Sequence, residues 1–198
     1  MDRKLLERLY IYNKKSVHDI AKVFNCSEGK INYWLHKYCI PKRSISEAVY
    51  MMHNPNGDPF SPKVLRTSKD SFLFGLGLGL YWGEGTKMNT TSVRLGNTDP
   101  YLVRAFLIFL RKMYGIDNSK LRFAIQIFTD MDQKKEEKFW REFLKIDAKQ
   151  FYKTINTRSG SIGTYRTKSE HGVLTLYFGN KKLRDILIGE IEKMKKLR

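Results

Sequence analysis

The residues best suited to chemistry lie at the end of a glycine-rich apolar run, Phe72–Lys87. This run finishes in a carboxylate, Glu84, followed by Gly85 and the cation of Lys87. If the run is a helix, Glu84 faces the negative end of the helix dipole, which disfavours an acid unless a cation is nearby. An acid aimed at a cation in this way suits metal-dependent cleavage of a phosphodiester.

Glycine spacing within the run predicts how the helix packs. Gly75, Gly79 and Gly83 lie four residues apart and so share one face of a helix. Small residues at this spacing let two helix backbones approach closely. Each glycine also costs a helix about 1 kcal/mol relative to alanine. We therefore expect this face to pack against a second copy of the same helix.

A nucleotide-binding loop and a plain core helix are the alternatives for this run. Its glycines follow neither the dinucleotide pattern G-x-G-x-x-G after a strand nor the phosphate-loop pattern G-x-x-x-x-G-K-[ST]. The nucleotide-loop interpretation is therefore disfavoured.

Composition predicts the partner. The 198 residues carry 37 Lys and Arg against 20 Asp and Glu, a formal net charge of +17. Such an excess indicates a polyanion, nucleic acid before membrane, although a merely soluble basic protein is the alternative. The apolar run is too short to span a bilayer, and the charged N-terminus does not resemble a signal peptide. We expect a cytoplasmic or nucleoid-associated protein that is not secreted.

Cysteine and histidine usage argues against other site chemistries. Cys26 and Cys39 form no C-x-x-C pair, so neither a disulfide scaffold nor a zinc site is predicted. Both cysteines fall at apolar positions and are expected to be small buried hydrophobes. The histidines, His18, His36, His53 and His171, form no ligand cluster in the sequence.

Three helices are predicted at the N-terminus, over Asp2–Tyr12, Val17–Phe24 and Glu28–Tyr38, with Ser16 and Ser27 as N-caps. Their predicted core comprises Ile20, Ala21, Phe24, Ile31, Trp34 and Leu35. The spacing is that of a helix-turn-helix, and residues 16–44 resemble its resolvase-like and transposase-like members. A small helical protein-interaction module is the alternative.

In a helix-turn-helix the third helix enters the major groove of DNA. The candidate DNA-binding residues on that helix are Lys30, Asn32, Tyr33, His36 and Lys37. Asn pairs with adenine and Lys contacts guanine or phosphate. Lys42 and Arg43 follow in a basic arm that could track phosphates or the minor groove.

The remaining chain predicts a linker and an α+β domain. Residues 46–69 are dense in turn formers, contain one short helix over Ser46–Met52, and separate domain 1–45 from domain 70–198. Downstream the predicted strands are Thr91–Gly96, Leu121–Phe128, Gln150–Ile155, Tyr165–Lys168 and Gly172–Phe178, and the predicted helices are Tyr101–Tyr114, Gln133–Leu144 and Asn180–Leu197.

This domain resembles the LAGLIDADG family of homing endonucleases. The residues Gly79–Gly85 match the second half of the family motif, with Glu84 at its final acid, while Trp82 stands where the motif has an acid. Residues 93–110 and 174–183 are similar to the family's second strand with its packing helix and to its last strand with its final helix. The segment 130–153 is extra. The resemblance implies a mixed α/β domain with an antiparallel sheet.

The resemblance also implies a function. Family members pair two motif helices, bind divalent metal between the terminal acids, and cut double-stranded DNA held under a saddle of sheets. One motif per chain implies a homodimer with Mg²⁺, a seam at Gly75, Gly79 and Gly83, and metal ligands from Glu84 and the Gly83 carbonyl. The implied catalytic cation is Lys87. Further DNA contacts are expected from Arg94, Lys153, Arg166 and Lys168.

Two rivals share this scaffold. One is a sequence-specific regulator of transcription that binds DNA without cutting it, and the short link Thr86–Thr91 slightly favours it. The other is an RNA-splicing maturase. A pure binder has no need of an acid facing phosphates, so Glu84 favours the nuclease.

Overall fold

The computed structural model describes residues 1–159 and 169–196. The chain divides into two compact units, Met1–Asp58 and Pro59–Arg198, so the boundary falls inside the predicted linker. Within the described residues there are eight α-helices and four strands, which makes the chain α+β as predicted.

The first unit is helical. Its elements are α1 (Arg3–Glu7), which continues into a π-helical turn (Arg8–Tyr12), α2 (Val17–Val23), α3 (Glu28–Lys37) and α4 (Ile45–His53). Ser16 forms a capping box with Asp19 at the start of α2, and Ser27 caps α3. Both caps were expected from the sequence.

The predicted core of the first unit is confirmed. Four of its side chains are buried, and Phe24 and Trp34 pack against them half-buried; the four are Ile20, Ala21, Ile31 and Leu35. The burial predicted for the cysteines is wrong. Cys39 is exposed and Cys26 only half-buried, because the chain turns at Cys39 with a φ of 54° as α3 ends.

The second unit alternates helices and strands. Its elements are α5 (Ser68–Glu84), β1 (Val93–Asn97), α6 (Pro100–Tyr114), β2 (Leu121–Phe128), α7 (Gln133–Leu144), β3 (Ile155–Thr157), β4 (Val173–Phe178) and α8 (Lys181–Met194). Short 3₁₀ turns at Asn118–Lys120 and Ala148–Gln150 precede β2 and β3.

The sheet is mixed, which corrects the antiparallel sheet that was expected. Its strand order is β1-β4-β2-β3. The β1–β4 and β4–β2 pairs are antiparallel, whereas β2 and β3 are parallel. The parallel pair arises because α7 connects β2 to β3 and returns the chain to the same end of the sheet.

Strand boundaries in this region also differ from the expectation. β3 covers Ile155–Thr157 and so begins where the predicted strand Gln150–Ile155 ends. Before Ile155, that predicted strand contributes an isolated bridge from Phe151 to Phe123. The predicted strand Tyr165–Lys168 lies outside the described residues.

One face of the sheet carries the core. Alternate strand residues, such as Val93, Leu95 and Leu176, are fully buried and pack with side chains from α5, α6, α7 and α8. The intervening residues, including Arg94 and Tyr177, are only half-buried. The sheet therefore has one face covered by helices and one face more open to solvent.

Candidate functional site

The inward face of α5 explains one of its glycines. Leu78 and Tyr81 are buried here, together with Gly77. A Cβ at Gly77 would lie 2.0 Å from Cγ of Phe109 on α6. Position 77 therefore requires glycine, because the α6 aromatic ring packs directly on the α5 backbone.

The opposite face of α5 is uncovered. A Cβ placed on Gly75, Gly79 or Gly83 would meet no atom within 4 Å. The large side chains around these glycines are exposed: Phe72 at 72 %, Leu76 at 40 % and Trp82 at 42 %. These residues form an apolar, uncharged surface, which we name the glycine face.

The C-terminal end of α5 turns sharply at Gly85. A Cβ there would lie 2.2 Å from Cδ2 of the buried Tyr81 ring. Glycine lets the chain cross this ring and run antiparallel to β1. Gly85 bridges Leu95, and the Thr86 amide donates to the Arg94 carbonyl at 2.9 Å.

Glu84, the last residue of α5, is exposed next to this turn. Within the described part of the chain, no hydrogen bond or ion pair engages its carboxylate. The Lys87 ammonium instead donates to the carbonyl oxygen of Trp82 at 2.6 Å. The cation predicted from the sequence thus neutralises the negative end of the helix dipole, and the acid stays available.

Arg184 on α8 fixes the loop that follows. Its guanidinium donates to the carbonyl of Lys87 at 2.7 Å and to that of Asn89 at 3.1 Å. The Asn89 side chain then accepts from the Ser92 hydroxyl at 2.9 Å. Only the structure reveals this role of Arg184, because 97 residues separate it from Lys87 in the sequence.

The Tyr81 side chain is fully buried. The ring stacks on Phe106 with a centroid separation of 5.7 Å, and its hydroxyl has no hydrogen-bond partner among the described residues. Burial raises the pKa of Tyr81. This tyrosine therefore anchors α5 as a neutral residue of the core.

The open face of the sheet carries a row of basic and aromatic side chains. Arg94 on β1 pairs in register with Tyr177 on β4, which pairs with Arg122 on β2. The Arg94 guanidinium lies 5.3 Å from the Tyr177 ring centroid, and Tyr152 meets that ring edge-on at 5.7 Å.

Arg94 was predicted as a binding residue, whereas Arg122 and Tyr177 were missed. The sequence contains a residue pattern that could have located Arg122. Arg122, Ala124 and Gln126 alternate with the large apolar residues Leu121, Phe123 and Ile125 along β2, which places Arg122 on the face opposite the core.

No family model, no curated protein and no solved structure matches this chain. In the described part of the chain, no helix is both long enough and apolar enough to cross a bilayer.

The structure describes one of the other three DNA contacts predicted for the second unit. Lys153 is exposed immediately before β3. Its neighbour Thr154 donates to the Glu137 carboxylate on α7, which fixes this segment against that helix. Arg166 and Lys168 lie outside the described residues.

The predicted recognition residues of α3 are mostly accessible. Lys30, Tyr33, His36 and Lys37 are exposed, whereas Asn32 is half-buried. The Lys37 ammonium sits 4.8 Å from the Trp34 ring centroid, so part of its side chain is ordered on an aromatic surface.

The two residues of the basic arm differ in exposure and in hydrogen bonding. Lys42 is exposed. The half-buried Arg43 side chain is engaged within the unit: it donates to the carbonyls of Tyr10 and, at 2.8 Å, Lys15, and lies 4.1 Å from the Tyr10 ring centroid. Arg43 therefore holds the arm onto the end of the first helix.

A single protomer offers few metal ligands. Over residues 1–159 and 169–196, no group of three or more His, Cys, Asp or Glu side chains could hold an ion. The exposed end of α5 offers one carboxylate, Glu84, and the backbone carbonyl of Gly83. These oxygen donors fit Mg²⁺, which usually keeps waters and takes one or two carboxylates with substrate phosphates.

Proposed function

We propose that this protein is a homodimeric, Mg²⁺-dependent endonuclease that cuts double-stranded DNA in the manner of the single-motif LAGLIDADG proteins. Its N-terminal unit is a helix-turn-helix that uses α3 for sequence recognition. The observation that carries the proposal is the glycine face of α5, uncovered and apolar, which ends directly at the exposed Glu84.

The second copy is the occupant that best suits this face. Three glycines with open space in front of them allow another helix to approach backbone to backbone. The exposed Phe72, Leu76 and Trp82 would lose water on association. A two-fold axis that runs along the paired helices makes them parallel and repeats every contact in both protomers, so the two Glu84 residues lie at the same end.

Each protomer then contributes Glu84 and the Gly83 carbonyl to a shared metal centre. When bound, Mg²⁺ would stabilise the negative charge that develops on the phosphate. Lys87 lies beside the same helix end and would add a positive charge near the phosphate. The half-site geometry requires a nearly palindromic DNA target.

The remaining surfaces support DNA as the partner. The open sheet face presents Arg94, Arg122 and Tyr177 in one row, and α3 exposes Lys30 and Lys37. Arg and Lys supply both phosphate contacts and bidentate contacts to guanine. Together with a net charge of +17, this favours nucleic acid over an acidic protein.

A DNA-binding regulator that does not cut is the second candidate. The turn between Gly85 and β1 favours it, because Arg184 pins the loop and leaves only a short hairpin for reading bases. This candidate keeps the same dimer and the same DNA contacts, and differs only in the role of Glu84.

Cleavage of a randomised duplex library in Mg²⁺ decides between the two. The nuclease is expected to enrich a nearly palindromic cut site, and Glu84→Gln is expected to bind that site while losing cleavage. Equal binding by both proteins with no cleavage by either would leave the regulator as the function. A parallel assay with structured RNA would detect splicing-type RNA binding.

A further inference from the structure

The outer flank of the second unit carries an exposed row of cations. Lys134, Lys138 and Arg141 lie on α7, and Lys145 is the residue that ends the helix with a φ of 53°. They follow at intervals of four, three and four residues, and all four are exposed. The spacing places the first three on one side of the helix, and the distance from Lys134 to Lys145 along the helix axis is about 16 Å. We name these residues the α7 row.

The acidic residues of α7 form few close ion pairs with this row. Glu136 is buried and bonds His171 at 2.7 Å, and Glu137 is engaged by Thr154. Glu142 lies 3.9 Å from Lys138 in an exposed pair, which contributes little. Among the described residues, no ion pair within 4 Å engages Lys134, Arg141 or Lys145, although the Arg141 charge lies near Asp147.

Several lysines on α8 and just after its C-terminal end have close acidic partners. Lys181 pairs with Asp185 at 2.6 Å, Lys193 with Glu190 at 2.7 Å, and Lys195 with Glu192 at 2.6 Å. Three of these lysines are therefore held in close ion pairs, whereas Lys138 alone in the α7 row has an acidic partner within 4 Å among the described residues.

The row borders the outer edge of the sheet. Thr154, which leads into the edge strand β3, bonds Glu137, and Glu137 is the helical neighbour of Lys134 and Arg141. Lys153 is exposed beside that bond. Because β3 lies at the opposite edge of the sheet from β1, and α5 packs against β1, the row is at the sheet edge away from the glycine face.

We infer that the α7 row and Lys153 form a phosphate track that binds duplex DNA beyond the sheet, at each outer end of the site. This inference rests on the proposed DNA binding but does not depend on cleavage. A row of about 16 Å matches on the order of five phosphates along one strand at about 3.4 Å per step. Such contacts add affinity and register without reading sequence.

The test compares two variants of the full-length protein with equal loss of charge. One changes Lys134, Lys138, Arg141 and Lys145 to Gln, and the control changes Lys181, Lys193, Lys195 and Lys196 to Gln. Gln keeps helix propensity close to that of Lys and Arg, and circular dichroism with thermal melting checks folding. Binding to a mixed-sequence DNA duplex is measured across a range of salt concentrations.

Each phosphate contact contributes roughly 0.9 to the slope of log affinity against log salt. The α7 variant should lose about 3.6 from that slope per protomer, and its hydroxyl-radical footprint should shorten at both outer ends. The control should keep the wild-type footprint and most of the slope.

Three results overturn the inference. An unchanged slope and footprint in the α7 variant would refute the track while the proposed function stands. An equal loss in both variants would show a general charge effect. A wild-type protein that binds no DNA duplex, or an α7 loss seen only with duplex RNA, would refute the track and the proposed function together.

Discussion

The Lys87 ammonium donates to the Trp82 carbonyl oxygen at 2.6 Å, across the C-terminal turn of α5. The contact places a cation beside the exposed Glu84 and satisfies a carbonyl that a helix end otherwise leaves to water. The same side chain therefore has two possible duties, stabilising the helix end and stabilising charge on a phosphate.

Substitution of Lys87 separates these duties. Lys87→Gln should lower the free energy of unfolding by less than about 1 kcal/mol, because an exposed charge at a helix end contributes only that much. It should lower the single-turnover cleavage rate by about 100-fold, the usual effect of removing one donor to the transition state. Lys87→Arg keeps the charge and should recover part of the rate. Unchanged cleavage by Lys87→Gln would leave only the helix-end duty.

The glycines of α5 provide a matched pair. Gly79→Leu should yield monomers in analytical ultracentrifugation while the melting temperature of the chain is retained, because a Cβ at Gly79 meets nothing within 4 Å. Gly77→Ala should instead destabilise the fold by about 1–3 kcal/mol or more through overpacking, since its Cβ would lie 2.0 Å from the Phe109 ring. A persistent dimer of Gly79→Leu would refute the glycine face as the seam.

The basic arm gives a second matched pair. Arg43→Gln should destabilise the first unit by about 1.5–3 kcal/mol, the range for hydrogen bonds that involve a charged group, because its guanidinium bonds the Tyr10 and Lys15 carbonyls. Lys42→Gln should leave stability unchanged and weaken DNA binding in a salt-dependent way. Urea unfolding and duplex titration measure the two effects. If Arg43→Gln unfolds like the wild type, its bonds within the unit are not stabilising.

Asp70 near the start of α5 makes stability depend on pH. The Lys63 ammonium donates to its carboxylate at 2.7 Å and is the main cause that lowers the pKa of Asp70 below 3.8. A lowered folded-state pKa contributes stability above pH 3.8 that is lost as the pH falls through the folded value.

Lys63→Gln removes this donor and tests the pH dependence directly. The variant should be less stable than the wild type at neutral pH and should converge with it in acid, as followed by urea unfolding at a series of pH values. A constant difference in the free energy of unfolding down to pH 2, about two pH units below the ordinary Asp pKa, would contradict the linkage.

Much of the architecture could be predicted from local signals. Ser16 and Ser27 were predicted as N-caps, and the structure places them there. Helix caps and periodic apolar residues depend on neighbours a few positions away in the sequence. Their effect can therefore be predicted from the sequence alone. Strand-pairing partners were beyond the reach of such signals, and the parallel β2–β3 pair was therefore missed.

The candidate site was likewise predicted only in part from the sequence. Its composition was visible in the sequence, with three glycines on one helical face and Glu84 at the end. The distinction between Gly77, which packs on Phe109, and Gly79, which faces open space, required the fold. So did the engagement of Arg43 within the first unit, because its partners lie 28 and 33 residues away.

The sequence by itself determined the α+β class, the helical N-terminal unit, the charge of +17 and the helix that ends in Glu84, since each depends on residue type and short spacing. The tertiary structure decided which face of that helix is open and that Arg184 anchors the loop behind Glu84. Those outcomes depend on contacts between residues distant in the chain, and such contacts leave no local pattern.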